Sequence, residues 1–273
     1  MTLAGSILLL AAVVPGAALL VLWLRRTPSS DRDWAPEQSR MPRVTFEGSR
    51  FTVEDLRNFH WTDSTTFDPR WERRSYDLDR VNSAWYVLVP FASHWRGPAH
   101  TFVSFGFDDG RYLAISIEAR RRVGQSYDIL RGLFRRFELI YVIGDELDLI
   151  GRRAVYDGSD VFLYPIAATP EAMRAVLRSM LERADRLREQ PEFYNTITNN
   201  CTLDLVRHVN QFAPGRIPRS WRLAMPGYSD QVAYAVGLID TTLPLEEARE
   251  KYRINDRARE ALNTPEFSTR IRH

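Results

Sequence analysis

The chain has 273 residues, of which 44% are hydrophobic and 26% charged, and its formal net charge at pH 7 is +2. This length can bury one sizeable core. The near-neutral charge, with arginines scattered among acids, argues against a nucleic-acid partner. The single cysteine, Cys201, excludes an internal disulfide and a zinc site built from several thiolates, and we expect no metal or cofactor.

The N-terminal stretch, residues 2–24, contains no charged residue. As a helix it would be roughly 35 Å long, enough to cross the ~30 Å hydrocarbon layer of a bilayer. Trp23 has the place of an interfacial aromatic residue, and Arg25 and Arg26 follow it. Because neither a basic n-region nor an A-x-A site frames the stretch, residues 1–26 are predicted to form an uncleaved transmembrane anchor.

Residues 27–43 are rich in proline, serine and charge, and are predicted to be a juxtamembrane linker. Residues 44–273 then form one domain with a charged C-terminal extension. By the positive-inside rule, Arg25 and Arg26 draw that domain toward the cytoplasm.

Five apolar segments are predicted to be strands. They are residues 83–91, 100–107, 111–119, 137–147 and 160–166. The second and third flank "DDG", a hairpin signal. With a three-residue loop and Gly110 in the left-handed conformation, opposed positions sum to 218, so His100 faces Glu118. A two-residue "DG" turn would shift the register and break this pair.

Helical periodicity follows the strands. Thr169 can cap a helix of about five turns that has Pro170 in its first turn. A second helix begins at Cys201, and residues 229–239 are a third candidate. The charged stretch 245–262 is expected to lie on the surface. The predicted class is therefore α+β, an antiparallel sheet with helices packed around it.

Cys201 falls in the first turn of its helix because Asn199 and Asn200 are good N-cap residues. The helix dipole and free backbone N–H groups there would lower the pKa of a thiol, and the N–H groups could hold an oxyanion. The alternative is a buried thiol that only fills space.

His100 is the histidine best placed to serve Cys201. His208 shares the Cys201 helix but lies about 10.5 Å further along its axis, beyond hydrogen-bond reach. Glu118 opposite His100 would orient the imidazole as a third catalytic group does. Tyr194, Asn200 and Asn199 are candidate supporting residues. The alternatives are an ordinary polar pair at a sheet end, a packed aromatic ring and a helix cap.

Other chemical motifs are weak or missing. The "GDELD" carboxylates at 144–148 are more typical of a strand end than of a metal site. The sequence has no P-loop, no Rossmann glycine fingerprint, no G-x-S-x-G and no H-E-x-x-H.

Four stretches carry a resemblance to a known family. They are "AHTFVSFGFDDGRYLAISIEARR", "FELIYVIGDELDLI", "PEFYNTITNNCT" and "PEFSTRIR", with "SDRDW" in the predicted linker as a fifth element. Together they resemble the bacterial family that contains the N-terminal periplasmic domain of Lnb-type lipoprotein N-acyltransferases. The resemblance runs from about residue 30 to the C-terminus.

The resemblance implies a circularly permuted papain-like (NlpC-type) fold, with Cys201 as nucleophile, His100 as its base and Glu118 as the accompanying carboxylate. Together with the predicted anchor, it implies a single-pass protein of the bacterial inner membrane, with its soluble domain in the periplasm. The implied reaction is acyl transfer from a membrane lipid or lipoprotein through a thioester. Two alternatives stay open: a cell-wall peptide amidase or peptidase of NlpC type, and a non-catalytic envelope binding domain.

Overall fold

The computed structural model describes residues 25–92, 96–262 and 264–273. Residues 1–24 of the predicted anchor lie outside this part of the chain. Among the helices that are described, none combines the length and apolar character needed to cross a membrane.

The described strands include all five predicted segments and others that periodicity did not indicate, mainly before residue 80. Their bounds are β1 Arg43–Glu47, β2 Arg50–Arg57, β3 His60–Trp61, β4 Phe67–Asp68, β5 Trp71–Asp77, β6 Val81–Pro90, β7 Ala99–Phe107, β8 Tyr112–Arg120, β9 Glu138–Gly144 and β10 Phe162–Pro165.

The strands build one large sheet, in the order β1-β2-β9-β8-β7-β6-β10 with β5 on β2, and a separate β3–β4 pair. All pairings are antiparallel except the single contact between β2 and β9. The predicted class, α+β with a mostly antiparallel sheet and several helices, is therefore confirmed.

The β7–β8 hairpin has the predicted register. Its pairs run from Gly106↔Tyr112 to Phe102↔Ser116, and every pair sums to 218. The Phe107 amide donates to the Arg111 carbonyl at 3.0 Å, and Gly110 has φ +80°. The three-residue loop with a left-handed glycine therefore places His100 and Glu118 on one face, just beyond the last paired residues.

The described helices occupy both faces of the sheet. Their bounds are α1 Ile129–Leu133, a π-helix Leu147–Tyr156, α2 Pro170–Glu189, α3 Cys201–Phe212, α4 Trp221–Ala224, α5 Ser229–Ala235, α6 Leu245–Tyr252, α7 Asn255–Ala261 and α8 Phe267–Arg270, with 3-10 turns at Pro36–Gln38, Leu78–Arg80 and Pro226–Tyr228. Thr169 caps α2 as predicted, because its side chain accepts from the Ala172 amide.

Two apolar clusters fill the space between sheet and helices. One covers the face that carries Val103 and Ile115, and buries Leu177 and Met180 of α2 together with Cys201. The other covers the opposite face, where Phe102 and Ala114 meet the π-helix, α7 and α8. Alternation along each strand sends neighbouring residues to different faces and thus to different clusters.

The expectation that residues 245–262 lie on the surface is wrong for part of that stretch. Ile254, Ala258 and Ala261 are buried in the second cluster, and Ala248 is also buried. High charge hid the helical apolar face, because three of these four core positions are small alanines that contribute little to a hydropathy pattern.

Two buried ion pairs fasten the segment after β9. The guanidinium of Arg57 binds Asp148 through two nitrogens, at 2.9 and 3.0 Å. Arg272, near the C-terminus, binds Glu146 at 2.6 and 2.9 Å. Two of the three "GDELD" carboxylates therefore bind arginines inside the fold, and one of these pairs joins that motif to the terminal "PEFSTRIR".

Part of the predicted linker packs against the end of β8. Gln38 and Trp34 are buried, and the Arg120 guanidinium lies over the Trp34 ring at 4.0 Å. The Ala35 amide donates to the Arg121 carbonyl at 2.9 Å. Residues 34–38 therefore belong structurally to the domain.

Candidate functional site

Cys201 begins helix α3, as the sequence predicted. The side chain of Asn200 accepts from the Leu203 amide at 2.9 Å, which makes Asn200 the N-cap. Cys201 is buried, and it lines a cavity of about 260 Å³ whose wall also includes His100 and Glu118. The tertiary fold therefore brings the three predicted residues to one cavity.

Ser116 connects His100 to Glu118. The Ser116 hydroxyl lies 2.7 Å from His100 Nε2 and donates to Glu118 Oε1, also at 2.7 Å. The direct distance from His100 Nε2 to Glu118 Oε1 is 3.8 Å, longer than a hydrogen bond. Since the serine proton is given to the carboxylate, its oxygen accepts from Nε2–H, and His100 Nδ1 keeps the free lone pair.

Glu118 is held as a carboxylate by several donors. Gln38 Nε2 donates to its Oε2 at 2.7 Å, and Arg153 donates to its Oε1 at 2.9 Å. Burial alone would raise the pKa of Glu118, but the charges of Arg153 and Arg57 and the hydrogen bond from Ser116 together lower that pKa below its ordinary value. The carboxylate is thus ionised and oriented before any ligand arrives.

Cys201 and His100 are both neutral at pH 7. Burial raises the pKa of the Cys201 thiol, and hydrogen bonds from Thr101 and Thr202 offset only part of that rise. Burial, assisted by Arg153 and opposed by Glu118, lowers the pKa of His100 to about 3. The expectation that the helix start would lower the thiol pKa is therefore wrong, because desolvation of the thiolate outweighs the hydrogen bonds that stabilise it.

A pair of threonines ties the cysteine helix to the histidine strand. Thr101 of β7 and Thr202 of α3 have their hydroxyl oxygens 2.9 Å apart, and both residues are buried. The Cys201 sulfur lies 4.0 Å from the Thr202 hydroxyl oxygen. Thr101 and Thr202 immediately follow His100 and Cys201 in the chain, so this contact fixes the start of β7 against the start of α3.

The supporting residues predicted from sequence divide into two groups. Tyr194 lines the cavity, and its hydroxyl is 3.3 Å from that of Tyr127, another lining residue. Asn199 instead donates to the Phe193 carbonyl at 2.9 Å and accepts from Arg207, while Asn200 also donates to the Thr196 carbonyl at 2.6 Å. The two asparagines therefore shape the loop before Cys201.

Other histidines have other surroundings. The buried ring of His208 contacts the Tyr141 hydroxyl and the Ser179 hydroxyl, both at 2.8 Å. His60 is exposed on β3, and His94 lies outside the described residues. His208 therefore contributes to the packing of α3, as its spacing from Cys201 suggested.

A second, apolar cavity of about 610 Å³ lies beside the first turn of α3. Cys201 lines the smaller, charged cavity, whereas Thr202, the next residue, lines the apolar one. Its other walls come from the sheet and from α2, α3, α4 and α5, including Val103, Phe105, Val176, Leu205, Val209, Leu223 and Val232.

Sequence reasoning missed Ser116, Gln38 and Arg153. Ser116 stands two residues before Glu118 on the same sheet face, so the hairpin register could have indicated it. Gln38 and Arg153 come from distant segments, and periodicity and spacing gave no sign that they meet Glu118.

Fold and site define an α+β domain in which a cysteine at a helix start shares a cavity with a histidine on a neighbouring strand. Residues 67–227 match the family described as the Lnb N-terminal periplasmic domain, and the chain belongs to this family. That description names a location and no reaction. No curated protein and no solved structure matches the chain.

Proposed function

We propose that the protein is a cysteine-dependent acyltransferase that takes a fatty acyl group from a membrane lipid or lipoprotein. The supporting observation is the position of the first turn of α3 between two unlike cavities. Cys201 and His100 line the charged one, and Thr202 lines an apolar one of about 610 Å³. This volume is within the range of small-molecule sites, and its lining suits an acyl chain.

In the first half-reaction the sulfur of Cys201 attacks the carbonyl carbon of an acyl ester. His100 Nδ1 accepts the thiol proton as the C–S bond forms, since Nε2–H is engaged by Ser116. Free backbone N–H groups in the first turn of α3 can receive the oxyanion. The C–O bond then breaks, the alkoxide takes the proton from the imidazolium, and an alcohol leaves while the thioester remains.

In the second half-reaction an amine attacks the thioester carbonyl. His100 takes a proton from the attacking nitrogen, the C–S bond breaks, and the thiolate recovers that proton. The product is an amide, and the enzyme returns to its neutral thiol and imidazole. Glu118 stabilises the transient imidazolium through Ser116 without accepting a proton itself.

The apolar segment 2–24 would hold this chemistry at the inner membrane, with the domain on the periplasmic side. Membership of a periplasmic domain family supports that side, whereas Arg25 and Arg26 favour the opposite one. A lipid-borne substrate and a membrane tether are mutually consistent, because the tether keeps the domain at the surface where the acyl donor is concentrated.

A peptide amidase or peptidase is the second candidate. The cavity around Cys201 is charged as well as polar, with Arg121, Arg152 and Asp157 in its wall, and these groups could bind a peptide carboxylate or amine. In that reaction an amide would replace the ester as the group attacked, and the apolar cavity would have no role.

The test is to incubate the purified full chain in detergent micelles with a phospholipid that carries an alkyne-tagged acyl chain. We expect labelling that hydroxylamine removes and that Cys201→Ser abolishes. Hydroxylamine-sensitive labelling that persists in Cys201→Ser would contradict a thioester at Cys201. No labelling of the wild type, together with hydrolysis of a cell-wall peptide, would establish the amidase instead.

A matched histidine pair separates chemistry from folding. His100→Ala removes the base, and we expect the labelling rate to fall by about 100-fold or more. His60→Ala changes an exposed histidine outside the cavity and should label like the wild type. Equal rates in the two variants would remove His100 from the mechanism.

A further inference from the structure

Exposed apolar side chains concentrate on the segments that contribute lining residues to the Cys201 cavity. Of the eight large hydrophobic residues exposed in the described part of the chain, six come from this region, and we call these six the mouth patch. They are Phe91, Val123, Ile129, Leu130, Phe134 and Ile197. Apolar groupings of this kind on a protein surface mark an interaction site more often than single exposed residues do.

Direct contacts show that the segments carrying the mouth patch adjoin one another. The Phe91 ring lies 6.1 Å from the Tyr127 ring, and Tyr127 in turn packs edge-on against Tyr194 at 6.0 Å. The Thr196 hydroxyl donates to the Ile129 carbonyl at 2.9 Å, which joins the loop before Cys201 to α1.

The same segments reach the active cavity. Phe91, Tyr127 and Tyr194 line it together with Cys201. The loop that carries Ile197 leads directly into the N-cap of α3. A surface that docked on the mouth patch would therefore lie against the opening of the site.

The positive charge around the mouth patch favours docking on an anionic surface. Residues 121–136, which carry Val123, Ile129, Leu130 and Phe134, contain five arginines and one acidic residue, Asp128. Arg131 and Arg136 are exposed beside these apolar side chains. Apolar groups flanked by arginine are the composition of segments that insert at a lipid headgroup layer.

The path of the chain also points to a membrane. The Val123 amide donates to the Asp33 carbonyl at 2.9 Å. Asp33 lies only nine positions after the last residue of the uncharged stretch 2–24, so an extended chain would place Val123 within about 30 Å of that residue. If that stretch spans the bilayer, the tether keeps the mouth patch within about 30 Å of the membrane.

We propose that the mouth patch docks on the surface of the phospholipid bilayer and opens the Cys201 cavity toward the headgroup layer. The function of this docking rests on the proposed acyl transfer. A donor lipid could reach Cys201 from the docked state without moving its acyl chain through water. The docking itself requires no chemistry at Cys201, so the two proposals can fail separately.

The experiment uses the full chain carrying Cys201→Ser, which removes the only native thiol, in nanodiscs of phosphatidylethanolamine and phosphatidylglycerol. A single cysteine labelled with an environment-sensitive fluorophore is placed at Leu130, Ile197 or Asp108. Asp108 lies in the β7–β8 turn, roughly 25 Å along the strand from the cavity end. We expect lipid-attached doxyl groups to quench the first two labels several-fold more than the third.

Two variants sharpen the result with the label at Ile197. Leu130→Asp should reduce lipid quenching several-fold, whereas Trp221→Asp should leave it unchanged. Trp221 is a matched control because it lies outside the mouth patch and is about as exposed as Leu130, at 63% and 67%. Equal quenching at all three label positions would overturn the proposal. Protection of the Leu130 label from water without lipid quenching would overturn it too, because a protein partner would then cover the patch.

Discussion

The Ser116 hydroxyl lies between His100 and Glu118 and fixes the tautomer of the His100 imidazole. The carboxylate lies 3.8 Å from His100 Nε2, which is too far for a direct hydrogen bond to hold the proton on that nitrogen. With the hydroxyl, the proton is assigned to Nε2 and the lone pair to Nδ1. Such an orienting hydrogen bond governs how often the base is ready to accept a proton.

We expect Ser116→Ala to lower the rate of Cys201 acylation by about tenfold or more while the protein stays folded. Ser104→Ala is the matched control, because Ser104 is equally buried and its hydroxyl has no hydrogen-bond partner in the described structure. Labelling rates with the tagged lipid and circular dichroism check both variants. Equal rates for the two would mean that Ser116 does not orient His100.

The neutral resting state also predicts how the thiol responds to pH. Because the pKa of Cys201 is raised, its thiolate fraction is lower than that of a free thiol at every pH below that value. Iodoacetamide should therefore react with Cys201 at a rate that climbs about tenfold per pH unit through neutrality. A plateau between about pH 5 and 7 would instead reveal a thiolate paired with an imidazolium.

At the scale of elements, the site is the junction of a helix start and a hairpin end. The N-cap Asn200 and the loop register are local features, so the sequence predicted both. The contact between them is not local, because β7 and α3 are about a hundred residues apart in the chain and meet through Thr101 and Thr202. The residue pattern of neither segment indicates that it will contact the other.

Caps of two helices offer a matched test of that junction. Asn200→Ala and Thr169→Ala each remove a side chain that accepts a first-turn amide, and each should lower the free energy of unfolding by about 1 kcal/mol. Only Asn200→Ala should also speed alkylation of Cys201, since its helix start holds the thiol. Urea denaturation and iodoacetamide kinetics measure the two effects, and equal alkylation rates in the two variants would contradict this role.

At the scale of the whole molecule, buried ion pairs connect segments that are far apart in the chain. Arg272 and Glu146 have side chains that are 1% and 0% exposed, and Arg272 also lies over the rings of Trp85 and Tyr112. The C-terminal turn is thereby held against the sheet and the segment after β9. A buried charge that loses its partner costs far more than an exposed one.

We expect Arg272→Met to lower the free energy of unfolding by roughly 3–5 kcal/mol, because Glu146 is left buried without a counter-charge. Arg270→Met, two residues earlier on an exposed position, should change that free energy by less than about 0.5 kcal/mol. Adding Glu146→Met to Arg272→Met should recover part of the loss. Urea denaturation of all three variants measures these values, and equal stability of the two single variants would contradict the argument.

The sequence by itself determined the family, the strands β6 to β10, the helices α2 and α3, the hairpin register and the cap of the helix that begins at Cys201; it did not indicate α1 or the π-helix. These features follow from periodicity, turn residues and caps, which act within a few residues. It did not indicate the strands before residue 80, whose apolar alternation is broken by charge and by an irregular register in β2.

Only the tertiary structure decided the protonation states and the surroundings of the site. Burial overturned the expected low pKa of the thiol, because desolvation depends on every segment that covers Cys201 and not on its helix alone. Gln38 and Arg153 donate hydrogen bonds to Glu118, although they lie 80 and 35 residues from it in the sequence. Long-range packing thus set the electrostatics of a site whose residues local patterns had already indicated.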